Sequence, residues 1–437
     1  MMVSRGTTLR RPASIAMASR ESREATASVL MQASSTQMRL AYLTGRHPTI
    51  SHTFILQEVR ALRVRGVEVE TFSIWKTDAA ELLADADREE AARTFSVFPL
   101  RPLLLLKAHA TALRLALSMG VPGVRGRLLG LSWFVEAMTF WHTMAKRGVT
   151  HVHAHLNGSA PTVALIIAHF SRAAGRPLTW SMTVRGPAEF YDVARERLSR
   201  KVREATFVVA ISDFARSQLL GPVDAEHHAK IHVVHCGIDL AVFDPALDAT
   251  AEDHDRSLHL LSVSRLTRIK VHAVLLGAIA QLVAQGVPVR ATIVGDGPTR
   301  EALESLAADW GVDDRVLFTG AVGHDAIRAH YAAADVFCLT SFAEGVPVVL
   351  MEAMAMRIPV VASRVMGVGE LVEDGESGIL LRPARPDLVA DALRRLQASP
   401  ELRRRMGAAG QAAVRRKFDV DDSTRQLAQL FSAYTAH

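Results

Sequence analysis

The sequence predicts an α/β protein with two doubly wound, Rossmann-like domains that face each other across a cleft. From residue 38 onward, short apolar runs typical of buried strands alternate with longer stretches of helical periodicity. The alternation occurs in two series, one on each side of a polar segment at 249–256. Doubly wound sheets bind ligands beyond the carboxyl ends of their strands, so we expect a binding cleft between the domains.

Each series contains six predicted strands. The first series has them at Arg39–Leu43, Val67–Ile74, His151–His155, Leu178–Thr183, Thr206–Ile211 and Ile231–His235. The second has them at Leu258–Ser264, Ala291–Val294, Val316–Phe318, Val336–Leu339, Pro359–Ala362 and Gly378–Leu381. The predicted organisation is a disordered leader over 1–37, domains over 38–250 and 256–415, and a last helix within 416–437 that packs back on the first domain.

Composition narrows the class of protein. The chain has 437 residues, of which 49% are hydrophobic, enough for about two or three ordinary domains. Its 51 Lys and Arg against 45 Asp and Glu give a net charge of +6, which favours an anionic ligand or an acidic membrane surface over nucleic acid. Cys236 and Cys338 predict no disulfide framework and favour a reducing cytoplasm. No apolar run suits a secretory signal or reaches the roughly 18 residues of a membrane span.

One segment departs from the α/β pattern. Residues 91–135 contain no Asp or Glu, and their basic residues are interleaved with leucines. Leu103–Met119 has the pattern of a basic amphipathic helix, which predicts contact with an anionic membrane surface. A core helix with two solvated charges is the alternative.

The most specific pattern follows the fourth predicted strand of the second series. Glu344, Gly345, Val346 and Pro347 form a turn there, and an apolar helix containing Glu352 comes next. We expect Pro347 to be the first helical residue and Glu352 to lean back toward the helix start. The amides of Gly345 and Val346 at that start make an anion site. Two carboxylates beside a phosphate-sized pocket suit a sugar joined to a diphosphate.

Two other turns of the second series also follow strands. Arg265 and Lys270 lie in the loop after the first strand, where two cations can grip a diphosphate. A solvated charged face is the alternative for this pair. Gly295 opens a Gly-Asp-Gly turn and Gly320 ends a strand, so either can border a nucleotide, although such glycines also serve plain backbone geometry.

Histidines and hydroxyls mark the first series. His151, His153 and His155 alternate along one predicted strand and therefore share a face. We expect hydrogen-bonded structural histidines, with His153 and His155 as candidates for an acceptor site. No further ligand is evident nearby in the sequence, so a zinc site is not predicted. Ser51 and Thr53, at a predicted helix start, are candidates to meet phosphate.

In their order along the chain these motifs resemble glycosyltransferase family 4. The resemblance covers nearly all of 38–420 and rests on Arg265, Lys270, the Gly-Asp-Gly-Pro turn from Gly295, Phe-Thr-Gly ending at Gly320, Ala-Asp-Val-Phe at 334–337, Glu-Gly-Val-Pro followed by Glu352, and Glu-Leu-Val-Glu-Asp-Gly from Glu370. Family members are retaining, nucleotide-sugar-dependent enzymes with the GT-B fold. The runs at 42–54 and 153–157 resemble its exopolysaccharide, colanic-acid-type branch.

The resemblance implies roles for these residues. The domain at 38–250 would bind the acceptor, and the domain at 256–415 would bind the nucleotide sugar, linked to UDP or GDP. The implied donor-binding residues are Arg265, Lys270, Gly295, Gly320, Glu344, Gly345, Val346, Pro347 and Glu352. Glu352 would hold the ribose and Glu344 the sugar hydroxyls. The implied catalytic residues are Glu344, Arg185, Lys270 and Arg265. No metal or other cofactor is implied, because the donor phosphate helps to deprotonate the acceptor.

The chain departs from the family at two places. The glycine-rich loop after the first strand is replaced by the run 48–53. Arg185 stands where relatives usually carry a histidine that contacts the reacting sugar. Arginine cannot exchange a proton, but it donates hydrogen bonds and stabilises phosphate charge. An altered substrate preference, compensation by a nearby histidine and lost activity are the three explanations. Glu189 and Asp192 just beyond it are candidate acceptor contacts.

The predicted function is retaining transfer of a hexose to a lipid-linked or oligosaccharide acceptor in exopolysaccharide or cell-envelope polysaccharide biosynthesis. We expect the protein in the cytoplasm, peripherally on the inner face of the membrane, with 91–135 as the contact. Three alternatives stay open. These are a catalytically impaired nucleotide-sugar-binding scaffold, motivated by Arg185, a nucleotide-sugar epimerase, and a glycosidase that uses the two glutamates. No nucleic-acid partner is expected.

Overall fold

The computed structural model describes residues 38–49, 53–98, 110–120, 123–155, 159–186, 188–191, 193, 197–245 and 257–435. Residues from Arg39 onward belong to one structural unit. The predicted leader at 1–37 and the polar linker at 249–256 lie outside the described residues, as do Ser51 and Asp192.

The first half of the chain builds a seven-stranded parallel sheet with the order β3-β2-β1-β4-β5-β6-β7. Its strands are Arg39–Arg46 (β1), Glu68–Trp75 (β2), Phe95–Phe98 (β3), His151–His155 (β4), Thr179–Val184 (β5), Phe207–Ala210 (β6) and Ile231–Val233 (β7). Its helices are Thr53–Val64 (α1), Asp85–Arg93 (α2), Ala110–Met119 (α3), Val124–Lys146 (α4), Ser159–Ala173 (α5), Ala188–Tyr191 (α6), Leu198–Glu204 (α7) and Asp213–Leu220 (α8).

The second half builds a six-stranded parallel sheet with the order β10-β9-β8-β11-β12-β13. Its strands are Leu258–Val263 (β8), Val289–Val294 (β9), Val316–Gly320 (β10), Val336–Leu339 (β11), Val360–Ser363 (β12) and Gly378–Leu381 (β13). Its helices are His272–Ala284 (α9), Arg300–Asp309 (α10), His324–Ala332 (α11), Val348–Ala355 (α12), Val368–Leu371 (α13), Pro386–Ala398 (α14), Pro400–Lys417 (α15) and Val420–Thr435 (α16). Two parallel sheets with helical connections confirm the predicted fold class.

The edge strand β3 is absent from the predicted elements. The strand lies at the end of the sheet and has a single strand neighbour, β2. Packing holds it in place, since the ring of Phe98 stacks on that of Trp75 with centroids 4.4 Å apart. A contact of this kind depends on the register of β2 and β3, which the local sequence does not contain.

The two faces of the first sheet differ in chemistry. Alternate residues of β4 and β5, such as Val152 and Trp180, face the main apolar core. The residues between them point to the opposite side, which is therefore lined with histidines and hydroxyls. The last helix, α16, covers this polar face. The Phe431 ring lies 5.6 Å from the His151 ring and 5.2 Å from the His153 ring, and Arg65 pairs with Asp421 at 2.8 Å.

The segment predicted to be a basic amphipathic helix differs from expectation. Its first residues, 103–109, lie outside the described part, and α3 begins at Ala110. Leu115, Ala116 and Met119 of α3 are buried in the main core, so this helix matches the core-helix alternative. Within the described residues we find no helix that is both long and apolar enough to cross a bilayer.

Candidate active site

Lys270 and Glu344 meet at the carboxyl ends of two neighbouring strands. β8 and β11 are adjacent, Lys270 lies in the loop after β8, and Glu344 lies in the turn after β11. Lys270 Nζ is 2.5 Å from Glu344 Oε1, which also accepts a hydrogen bond from Ser341 Oγ at 2.6 Å. Glu344 is only 7% exposed. The pair therefore places a fixed cation beside a carboxylate whose second oxygen is left for other donors.

Arg265 lies in the same loop as Lys270, but its side chain is in a different state. It is exposed, and it takes part in none of the ion pairs found among the described residues. Its guanidinium is thus available to an anion, whereas Lys270 must share its charge with Glu344. An incoming diphosphate could therefore bind Arg265 directly, whereas it would compete with Glu344 for Lys270.

The Gly-Asp-Gly turn supports the loop that carries Arg265. Gly295 has φ of +136°, and a Cβ added there would lie 1.9 Å from the carbonyl oxygen of Ser264. The Gly295 amide donates to the Gly320 carbonyl at 2.8 Å. Because that amide is already bonded, phosphate contact through it is not supported. The structure favours the backbone role that the sequence left open for these two glycines.

Glu352 lies in the second turn of α12, as predicted, but its surroundings are drier than expected. It is 5% exposed, and the Tyr331 hydroxyl donates to its Oε2 at 2.7 Å. Burial raises the pKa of Glu352 to about 7. The prediction for Pro347 needs correction, because its ψ of 119° is extended and it precedes Val348, the first residue of α12.

The raised pKa of Glu352 allows a test of its predicted contact with ribose. Because the pKa is raised, the protonated Glu352 contributes to the stability of the folded protein. This contribution is complete below the ordinary pKa of 4.5 and is lost as the pH rises through about 7. Glu352→Gln cannot ionise, so we expect a higher Tm than wild type at pH 8 and little difference at pH 5. If the carboxylate binds ribose, UDP and GDP should each bind about tenfold more weakly. Melting curves at both pH values and nucleotide titrations measure this, and unchanged nucleotide affinity would remove Glu352 from the donor site.

Arg185 occupies a site that is shaped for a cation. Its guanidinium carbon lies 3.8 Å from the centroid of the Phe54 ring, and its Nη2 is 3.2 Å from Glu58 Oε2. Phe54 and Glu58 are one turn apart on α1 and so present the same side. The Arg185 carbonyl faces the active-site turn, because a Cβ on Gly345 would lie 2.2 Å from it. Arg185 therefore lies directly where the two halves of the chain meet.

Glu58, absent from the predicted site, connects several predicted residues. Its Oε1 accepts a hydrogen bond from the Tyr42 hydroxyl at 2.7 Å and lies 3.0 Å from His155 Nε2. Burial acts to raise the pKa of Glu58, but the neighbouring His155 and Arg185 outweigh it, and the pKa is lowered. Burial lowers the pKa of His155 and keeps that ring neutral. The permanent charge on Arg185 is thus matched by an ionised Glu58.

Glu58 also corrects the expectation that no third ligand lies near the histidines. One ligand atom each from Glu58, His153 and His155 lies within 4.8 Å of the others, a donor set that zinc accepts. However, Glu58 already pairs with Arg185, and both ring nitrogens of His153 lie within 2.8 Å of hydroxyl oxygens. A dication would add charge to a group that is already neutral overall, so we interpret the cluster as a charge-balanced network.

The other residues predicted to contact the acceptor or a phosphate are buried, half-buried or outside the described part of the chain. His153 and His155 are fully buried, which favours the structural role and leaves no surface for direct contact with an acceptor in this arrangement. Thr53 is half-buried at the start of α1. Ser51 and the side chain of Glu189 lie outside the described residues.

Similarity to known proteins identifies the family of this chain. Residues 248–413 match the model of the family described as Glycosyl transferases group 1. An alpha-D-kanosaminyltransferase of Streptomyces kanamyceticus is 31% identical over 300 residues, which cover 64% of this chain and 76% of the relative. WcaL of Salmonella typhimurium, a putative colanic acid biosynthesis glycosyltransferase, is 29% identical over 366 residues, which cover 79% of this chain and 87% of the relative.

A solved structure shows the same fold. The crystal structure of Anabaena HepE in complex with UDP-glucose aligns with a TM-score of 0.68 and 21% identity, covering 91% of this chain and 100% of that one. The predicted enzyme class, a hexosyltransferase, is confirmed by the family match and the relatives. The chain belongs to the group 1 glycosyl transferases, in agreement with the resemblance to glycosyltransferase family 4.

Proposed function

We propose that this protein transfers a hexose, with retention of configuration, from a UDP- or GDP-linked sugar to a lipid-linked saccharide in exopolysaccharide or cell-envelope polysaccharide biosynthesis. The Lys270–Glu344 pair carries the proposal, together with Arg265 of the same loop, which forms no ion pair with the residues that the structure describes. The similarity to WcaL, which is described as a colanic acid biosynthesis glycosyltransferase, supports the pathway class. The UDP-glucose bound by HepE supports a nucleotide-sugar donor.

The proposed reaction assigns a task to each of three residues, Lys270, Arg265 and Glu344. The bond between the anomeric carbon and the diphosphate oxygen breaks, and the acceptor oxygen bonds to that carbon from the same face. Lys270 and Arg265 stabilise the negative charge that grows on the diphosphate. One carboxylate oxygen of Glu344 accepts hydrogen bonds from Lys270 and Ser341, and the other accepts hydrogen bonds from the hydroxyls of the donor sugar. A donor phosphate oxygen takes the acceptor proton first, so the proposal requires neither a protein base nor a metal.

Arg185 motivates a second candidate, a nucleotide-sugar-binding scaffold without activity. The stacking on Phe54 and the pairing with Glu58 support the active enzyme instead, because a replaced catalytic histidine would have no reason to find a matched counter-charge. Both candidates bind the donor, so only product formation separates them.

The test is release of nucleoside diphosphate from a panel of UDP-, GDP- and ADP-sugars, with bacterial lipid extract as the acceptor source. The proposal expects release from one donor, dependent on lipid. Arg185→His should then be no faster than wild type if Arg185 is part of a working site. Donor binding without release would favour the scaffold, and release without any acceptor would favour hydrolysis. Conversion of the donor sugar without acceptor and without net release of nucleoside diphosphate would favour an epimerase.

The α3–α4 hairpin supports peripheral membrane association. The two helices touch at backbone distance, since a Cβ on Gly130 would lie 2.6 Å from the Ala116 carbonyl oxygen. The first turns of α4 are exposed. Val124, Leu128 and Leu131 are exposed by 74%, 62% and 46% and form one stripe along the helix. Arg125 and Arg127 between them are exposed as well. We propose that this end of the hairpin lies on an anionic bilayer, which complements its charge.

Sedimentation with vesicles of phosphatidylcholine and phosphatidylglycerol tests the membrane contact. We expect the wild type to pellet at low salt, and the double change Leu128→Ser, Leu131→Ser to abolish pelleting because the apolar stripe is lost. Arg125→Gln, Arg127→Gln should weaken pelleting and its salt dependence. The matched control is Arg404→Gln, Arg405→Gln, an exposed basic pair on α15. No pelleting by the wild type, or loss in the control alone, would contradict the proposal; a protein partner for the hairpin would then be sought.

A further inference from the structure

A continuous row of hydrogen bonds runs along the polar face of the first sheet. Histidines of β4 and hydroxyls of β5 alternate in it because the two strands pair in register. The ring nitrogens of His151 lie 2.7 Å from the hydroxyl oxygens of Thr179 and Ser181. Those of His153 lie 2.7 Å from the hydroxyl oxygen of Ser181 and 2.8 Å from that of Thr183. We call these five residues the histidine–hydroxyl row.

The row joins two different environments. Thr179, at the amino end of β5, is exposed to solvent. Ser181 and both histidines are fully buried, and Thr183 is 3% exposed. Thr183 lies two residues before Arg185, whose backbone touches the active-site turn at Gly345. The row therefore extends from bulk water to the end of the sheet that borders the candidate active site.

The chemistry of the row allows a proton to pass along it. Burial lowers the pKa of His151 to about 3 and also lowers that of His153, so both rings are neutral. A neutral imidazole has one nitrogen that donates and one that accepts, and each hydroxyl donates once. The row is therefore polarised in one direction, with Thr183 donating to His153, His153 to Ser181, and so on to Thr179, or in reverse. When each proton moves one step, one direction becomes the other.

Glycosyl transfer supplies a proton that must leave the site. In the proposed reaction R–OH and the nucleoside diphosphate sugar give R–O–sugar, a nucleoside diphosphate and one H⁺. We propose that the histidine–hydroxyl row is a relay that carries this proton from the active-site end of the sheet to solvent at Thr179. The inference rests on the proposed function. For each proton that enters at Thr183, one leaves from Thr179. The row is then reversed, and its rings and hydroxyls turn back before the next proton passes.

Glu58 and His155 connect the row to the active site. His155 pairs with Thr183 in register, and its ring centroid is 4.8 Å from that of His153. Its Nε2 faces Glu58 Oε1 at 3.0 Å, while its Nδ1 has no hydrogen-bond partner among the residues that the structure describes. We infer that His155 Nδ1 connects Glu58 to the row. In the two preceding pairs the Nδ1 of the histidine bonds the hydroxyl in register with it, so we assign the same partner, Thr183, to His155 Nδ1 during the transfer. Glu58, on the Nε2 side of the same ring, is then the group that passes the proton to His155.

The test separates proton transfer from mere hydrogen bonding. His153→Gln keeps polar contacts, but an amide does not pass a proton, and Ser181→Ala removes the central hydroxyl. With the donor identified by the panel and lipid extract as acceptor, we expect both to lower the single-turnover rate by about tenfold or more. Added imidazole buffer should restore the rate, because it carries the proton instead. Ser181→Thr keeps a hydroxyl and should keep the rate.

Ser73→Ala is the matched control, since Ser73 is fully buried on β2 of the same sheet but lies outside the row. An unchanged rate in folded His153→Gln overturns the relay, and so does a reduced rate that buffer does not restore. If Ser181→Ala fails to fold, His153→Gln carries the test by itself. A wild type that transfers nothing from any donor contradicts the proposed function, and the relay with it, whereas a relay failure affects only the variants.

Discussion

Lys270→Ala should lower kcat/KM for the identified donor by about a hundredfold or more. Lys270 is the half-buried cation that, in the proposed reaction, stabilises the negative charge that grows on the diphosphate. The change leaves the buried Glu344 with the Ser341 hydrogen bond but without its cation, so we expect some loss of stability, and a melting curve checks that the variant is folded at the assay temperature. Initial rates of nucleoside diphosphate release measure the effect. The same change should weaken the binding of UDP or GDP less than it slows turnover, since an interaction that strengthens in the transition state appears mainly in kcat.

Arg268→Ala is the matched control for Lys270, because Arg268 lies in the same short turn, is exposed and is outside the predicted clamp. We expect it to retain nearly full activity. A Lys270→Ala enzyme as fast as the control would remove the Lys270–Glu344 pair from the mechanism.

Glu58→Gln should destabilise the fold by about 3 kcal/mol or more, because it leaves Arg185 buried without its counter-charge. Arg185 is 7% exposed, and no other carboxylate among the described residues pairs with it. Denaturant unfolding measures the loss. Arg185→Gln in the Glu58→Gln background should recover part of the stability, since the double variant buries no unpaired charge.

Glu89→Gln gives the matched control for Glu58. Glu89 is an acidic residue with an exposed side chain that also pairs with arginine, and an exposed pair of this kind contributes little. Equal stability of Glu58→Gln and Glu89→Gln would show that Arg185 does not depend on Glu58.

Those features of the fold that repeat locally could be predicted from the sequence. The bounds predicted for β4, β11 and β13 match the structure, because each is a short apolar or alternating run between clear turns. The loops that carry Lys270 and Glu344 were placed correctly because both follow such strands. That the two side chains touch follows from the adjacency of β8 and β11, which only the sheet order reveals.

Contacts between distant parts of the chain could not be predicted from one sequence. Glu58 and Arg185 are 127 positions apart, and no local pattern distinguishes Glu58 from the other charged residues of α1. The exposed stripe on α4 was missed for a related reason. Whether a leucine is buried depends on which helix packs over it, and the acid-free segment looked most amphipathic in α3, whose apolar side the core covers.

The anomeric configuration of the product shows whether the protein transfers a hexose with retention. The donor found in the panel is incubated with wild-type protein and lipid extract, and the new glycosidic bond is assigned by proton NMR. We expect a lipid-linked product with the same anomeric configuration as the donor, and no such product with Lys270→Ala. An inverted linkage, or equal product from both proteins, would contradict it.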